Sequence, residues 1–156
     1  MQIEYLKELE KNPYHLGFPK LNNKPISETE ILHLEQLYNN NGNTFPKALR
    51  ELLYLAGNYC YVLDYGISES QEELQQFVRG ELNYYNKIIT RAFFVIDVYN
   101  AADQFLLVYL DEGENPPVYE ASYYENSSSW IRLISYNLSE YLNNLIIRVK
   151  EGRNPF

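Results

Sequence analysis

The sequence predicts an α+β fold, an antiparallel meander sheet of about four strands packed with helices. Two observations carry this prediction. Residues 91–124 alternate apolar and polar side chains between clusters of turn formers, and the flanking segments place apolar residues at helical spacing behind capping signals. In 93–99 one parity gives Phe94, Ile96 and Val98, while the other interleaves Phe93 and Val95 with Asp97 and Tyr99. That pattern predicts one dry face and one mixed face. Turn formers fill 100–104, and 105–110 (FLLVYL) is again apolar on one parity through Leu106, Val108 and Leu110, which makes a hairpin. A second turn at 111–116 (DEGENP) leads to a third strand at 117–124 (PVYEASYY), where Pro117 suits a strand start or an edge. The run 59–65 (YCYVLDY), closed by Gly66, reads as a further strand.

The helices follow in chain order. Ile3, Leu6 and Leu9 lie on one face of a short helix that Pro13 ends, and an irregular stretch through Gly17 and Pro25 follows. Residues 1–25 therefore read as an N-terminal extension of a single domain whose core is 26–150. Ser27 and Glu30 form a capping box, with Ile26 and Ile31 placed as a hydrophobic staple, so a helix starts there with Ile31, Leu34 and Tyr38 on its apolar face. The run 39–43 (NNNGN) ends it. Pro46 is placed as a first helical residue, Leu49, Leu52, Leu53 and Ala56 follow at helical spacing, and Gly57 supplies the stop. Ser68 with Gln71 predicts the start of a second long helix with a stripe of Leu74, Phe77, Val78 and Leu82, in which Gly80 costs about 1 kcal/mol relative to alanine. A polar loop at 126–129 and a short apolar connection at 130–134 precede the last helix, which Asn137 and Glu140 open. Its stripe is Leu138, Tyr141, Leu142, Leu145, Ile146 and Val149; Arg148 and Lys150 favour the negative end of the dipole, and Gly152 stops it.

Composition narrows the function. With 156 residues and 46% hydrophobic side chains the chain is long enough to bury one substantial core. A formal net charge of -8 argues against non-specific attraction to nucleic acid or an anionic membrane and for basic partners. Cys60 is the single cysteine, so no internal disulfide is available and a reducing compartment is expected. The opening MQIEYLKELEKNP is acidic where a signal peptide is basic and then apolar, and no run approaches the ~18 apolar residues of a membrane span. A cytoplasmic location is expected.

Catalytic, metal and cofactor motifs are not found. His15 and His33 fall on a loop and a helix, away from one another in sequence, and read as structural or exposed. The glycines occur singly, so neither a phosphate-cradling loop nor a dinucleotide fingerprint can be written. Cys60 lacks a neighbouring base and reads as a packing residue. Asp111, Glu112 and Glu114 lack the alternating ligand order of a calcium loop and read as a solvated turn.

Several segments together resemble the SUKH superfamily, which joins fungal cell-wall-assembly regulators to bacterial immunity proteins of polymorphic toxin systems. They are 26–38 (ISETEILHLEQLY), 45–58 (FPKALRELLYLAGN), 93–100 (FFVIDVYN), 104–112 (QFLLVYLDE) and the helix from Asn137 (NLSEYLNNLI). The first two are similar to the family's opening helices, the next two to its central hairpin and the last to its C-terminal helix. The chain departs from the family pattern with Phe45 before the proline and with the order Gly57, Asn58 after the helix. The family shares no catalytic residues. The resemblance implies a non-enzymatic protein without cofactor that neutralises a cognate toxin by direct binding, often a nuclease. A regulatory scaffold like the fungal branch is the alternative.

The partner-binding candidates are the acids and tyrosines on or beside the sheet: Asp64, Asp97, Tyr99, Asp103, Asp111, Glu112, Glu114, Tyr119, Glu120, Tyr123 and Tyr124. Tyrosines anchor interfaces and carboxylates steer a basic, nuclease-like toxin. The competing reading is that the tyrosines cover a sheet face while the acids keep the protein soluble. The protein is expected to act as a monomer or weak homodimer. An enzyme built on carboxylates would instead need two of them, with strongly raised pKa values, in one deep pocket.

Overall fold

The computed structural model describes residues 1–18, 20–39, 43–99 and 103–155; the expected loops at 39–43 and 100–104 fall partly outside them. The elements run α1 (Lys7–Lys11), α2 (Glu28–Tyr38), α3 (Lys47–Ala56), α4 (Gln71–Tyr84), β1 (Phe93–Tyr99), β2 (Gln104–Tyr109), β3 (Val118–Ser122), β4 (Ile131–Ser135) and α5 (Leu138–Lys150). The strands form one antiparallel sheet in the order β1-β2-β3-β4. Among the described residues no helix is long and apolar enough to cross a membrane.

Local signals place the helix starts. Ser27 N donates to the Glu30 carboxylate at 2.8 Å and Ser27 Oγ accepts from Glu30 N at 3.2 Å, closing the capping box at α2. Asn137 caps α5 by accepting from Glu140 N at 2.8 Å. At α4 the cap is Ser70, accepting from Glu73 N at 3.2 Å, two residues later than expected. The reason is that Gln71 is buried and its amide donates to the Gly57 carbonyl at 2.8 Å, so it is unavailable as a cap partner. Pro46 caps α3 without a side-chain bond, and Glu114 from the β2–β3 turn supplies the acceptor instead, taking Lys47 N at 2.7 Å. Gly57 stops α3 with an ordinary negative φ; a Cβ there would stand 2.5 Å from the Leu53 carbonyl and 2.8 Å from Ile26. Space, not a left-handed turn, requires this glycine.

Both sheet faces are covered, and β1 does not divide as alternation suggests. Phe94 and Ile96 pack with Leu106, Val108 and Val118 under α1, α2, α3 and α5. Phe93, Val95 and Val98 pack with Phe105, Leu107 and Ala121 under α4. A register shift between Val95 and Asp97 moves Val98 to the α4 side, which corrects the expected dry parity of Phe94, Ile96 and Val98.

The fourth strand is Ile131–Ser135, not the run at 59–65. In that run Cys60, Tyr61, Val62 and Leu63 are all buried, the signature of a segment enclosed on every side. It touches strand geometry at Tyr59, bridged to Lys24, and at Asp64, whose carbonyl accepts from Val98 N at 2.8 Å. The remaining outer edge of β1 is taken by side chains of α4. The Gln75 amide donates to the Val95 carbonyl at 2.8 Å and accepts from Val95 N at 2.9 Å, and Arg79 donates to the Phe93 carbonyl at 3.0 Å.

The N-terminal segment is built into the main core, with Leu6 and Leu9 fully buried in it. Glu51 of α3, itself buried, accepts from the backbone N–H groups of Glu4, Tyr5 and Leu6 at 2.7, 2.9 and 2.8 Å. Three donors on one carboxylate satisfy the charge where water is absent.

Candidate docking surface

The expected partner-binding residues divide into three places. On the α5 side of the sheet, the Tyr99 hydroxyl donates to Glu120, and Arg132 Nε donates to the same carboxylate at 2.7 Å. Asp97 lies beside them but is only 3% exposed, with one carboxylate oxygen accepting from Asp64 N at 3.0 Å. Burial holds its carboxyl well above the ordinary carboxylate range, and at that depth it offers no surface to a partner. At the β2–β3 turn, Arg91 donates to Asp111 at 3.3 Å through Nε and to Glu112 at 2.8 Å, and the Tyr119 hydroxyl donates to Glu112 at 3.0 Å. The same guanidinium lies 3.9 Å over the Tyr109 ring. It holds Asp111 below the usual carboxylate range, so these acids are partly neutralised where they stand. Glu114 is spent on the α3 cap.

The third place is around α4. Asp64 stands in the loop before it, lining a groove with Phe77, and Tyr124, with Asp103 beside it, meets Tyr85 just past its C-terminal end, while Tyr123 is buried between Phe105 and Tyr85 at ring distances of 5.2 and 5.7 Å. Tyr124 is exposed, and its hydroxyl accepts from the Tyr85 hydroxyl at 2.9 Å. Tyr84, 75% exposed, meets Tyr85 edge to face at 5.0 Å. Thus Tyr84, Tyr85 and Tyr124 form one aromatic cluster at the C-terminal end of α4.

Sequence reasoning missed the middle of this surface. Phe77 is exposed, not part of the core stripe, because the inner face of α4 is Gln71, Leu74, Gln75, Val78 and Leu82. The two glutamines at spacing four, in line with the leucines, were the available signal. Helical spacing then aligns Glu73, Phe77, Glu81 and Tyr84 along the outer side. The one cation of α4, Arg79, turns inward, 4.4 Å over the Tyr38 ring and 4.2 Å over Phe93. Beyond the helix, Lys87 lies 5.2 Å over Trp130 and bonds the Glu125 carbonyl. The outer side of α4 is left acidic and aromatic.

Other candidate chemistry is absorbed structurally. His33 pairs with Glu72 at 3.2 Å on the surface, and His15 packs edge-on against Phe18 and Tyr61. Burial pushes the Cys60 thiol up to about 12, which keeps it protonated and unreactive. Among the described residues no histidine, cysteine, aspartate and glutamate cluster is arranged to hold a metal ion.

Comparison with known families matches residues 25–144 to the SMI1 / KNR4 family (SUKH-1). The chain belongs to this family. Comparison with curated proteins and with solved structures gave no match. In this SUKH-1 protein the matched span includes all four strands, the whole of α4 and the first half of α5. Membership supports an immunity or regulator-like role exercised on a protein partner.

Proposed function

We propose that this SUKH-1 protein is a non-enzymatic immunity protein that binds a basic, nuclease-like toxin and occludes its nucleic-acid groove. The observation that carries the reading is the outer side of α4, where Glu73 and Glu81 stand in line with exposed Phe77 and Tyr84 while Arg79 is withdrawn. Carboxylates accelerate encounter with a cationic surface, and half-exposed aromatics supply the anchors that slow dissociation. Of the residues expected from sequence, Asp64, Asp103 and Tyr124 join this contact set. Ile67, Glu73, Phe77, Glu81 and Tyr84 are added to it.

The test is capture from the native organism's lysate on immobilised protein, washed at low and then high salt, beside a variant carrying Glu73→Lys, Glu81→Lys and Tyr84→Ala. The expected result is one basic partner held by the wild type through high salt and lost by the variant, whose toxicity co-expression of the wild type suppresses. Several salt-labile partners retained equally by both proteins would indicate a regulatory scaffold and overturn the immunity reading.

A further inference from the structure

Next to α4, a groove of about 460 Å³ opens between the loop that follows the 59–65 run and the end of β1. Its apolar walls are Ile67, Phe77 and Val98, with the Tyr65 and Tyr99 rings; Asp64 and Ser68 are the polar groups at its margin. Ile67 is 97% exposed, an arrangement that costs solubility and gains no packing.

The loop carrying Ile67 is clamped. Asp64 Oδ1 accepts from Gly66 N at 2.7 Å, Asp64 N donates to Asp97 at 3.0 Å, the Asp64 carbonyl accepts from Val98 N at 2.8 Å, and the Tyr65 hydroxyl donates to the Ala56 carbonyl at 3.0 Å. Gly66 adopts φ +65, and a Cβ added there would stand 3.0 Å from Val98, so the turn that projects Ile67 needs glycine on both counts. An apolar side chain held out by a fixed loop is a preorganised contact, whose ordering cost was met in folding.

Charge decides what fits. Among the described residues the lining holds one carboxylate, Asp64, and no cation. Asp64 is exposed and, among the described residues, uses one oxygen internally, which leaves the other for a donor from outside. We propose that this groove takes a short segment of a protein partner in which a large apolar side chain, seated between Ile67 and Phe77, is adjacent to an arginine or lysine that pairs with Asp64. The identity of that partner rests on the immunity proposal; the chemistry of the segment does not.

The experiment is panning of a displayed random-peptide library against the full-length protein, followed by binding titrations of an enriched synthetic peptide. Enrichment of an apolar residue next to arginine or lysine is expected. Ile67→Asp and Phe77→Ala should each weaken that peptide about tenfold or more. Asp64→Asn, which preserves the acceptor for Gly66 N, should weaken it less and flatten its salt dependence. Ile67 and Asp64 are exposed, so unchanged thermal melting is expected of Ile67→Asp and Asp64→Asn, and these two variants carry the test while Phe77→Ala, at a position 39% exposed, supports it. Peptides lacking the motif, or binding Ile67→Asp as tightly as wild type, overturn the inference. Failure of lysate capture while the peptide still binds would remove the toxin and leave the groove.

Discussion

Replacing Gln75 by leucine should unzip one edge of the sheet while leaving side-chain volume nearly unchanged. The Gln75 amide is fully buried and satisfies both backbone groups of Val95, at 2.8 and 2.9 Å, and its oxygen also accepts from Arg79 at 3.0 Å. Leucine leaves a buried N–H and a buried C=O without partners, each costing about 1–3 kcal/mol, partly offset by the gain in apolar burial. A net loss of about 3 kcal/mol follows, roughly 6–12 °C in Tm for a domain of this size. The neighbouring Gln76 is the internal control: it is exposed and bonds Glu72, at 2.9 Å, so Gln76→Leu should move stability by less than about 0.5 kcal/mol. Urea denaturation of the pair gives the difference, and amide exchange at Val95 should accelerate in the Gln75 variant alone. Equal midpoints for the two variants would refute the idea that an α4 side chain closes the sheet.

Burial raises the folded-state pKa of Asp97, so its contribution to stability is fully present below the unfolded value of about 3.9 and is lost as pH rises towards the folded value. Asp97→Asn, which keeps an acceptor for Asp64 N, should therefore gain on the wild type progressively as denaturation midpoints are measured from pH 4 to pH 8; a constant difference would contradict this. Glu51→Ala removes the acceptor of three backbone N–H groups and should cost about 3 kcal/mol, with limited proteolysis cutting ahead of α1 before global unfolding. Protection of that segment equal to wild type would mean that Leu6 and Leu9 alone hold it.

Much of this architecture is legible in the chain. The capping signals at Ser27 and Asn137 start helices because a side-chain oxygen two or three residues away satisfies an orphan N–H whatever the rest of the molecule does. The hairpin of β1 and β2 is legible for a similar reason: the turn and the alternation are both local. The span 59–65 misled because propensity cannot distinguish an apolar strand from an apolar turn buried on all sides. The candidate site was legible as a chemistry, acids with tyrosines, but not as a place.

What the sequence determined by itself is therefore the set of elements with local causes, the acidic balance, and the kinship to SUKH proteins. Tertiary structure alone decided which acids remain available. Arg91 stands 20 residues before Asp111 and partly neutralises it, Glu114 is consumed as a cap for a helix 67 residues earlier, and Asp97 is buried within β1. Arg79 is drawn inward by Tyr38 and Phe93, which leaves Glu73 and Glu81 without a cation between them on the surface of α4. Charge is a property of residues, but its availability to a partner depends on which opposite charges and hydrogen-bond donors the fold brings within a few ångströms, and those come from distant parts of the chain.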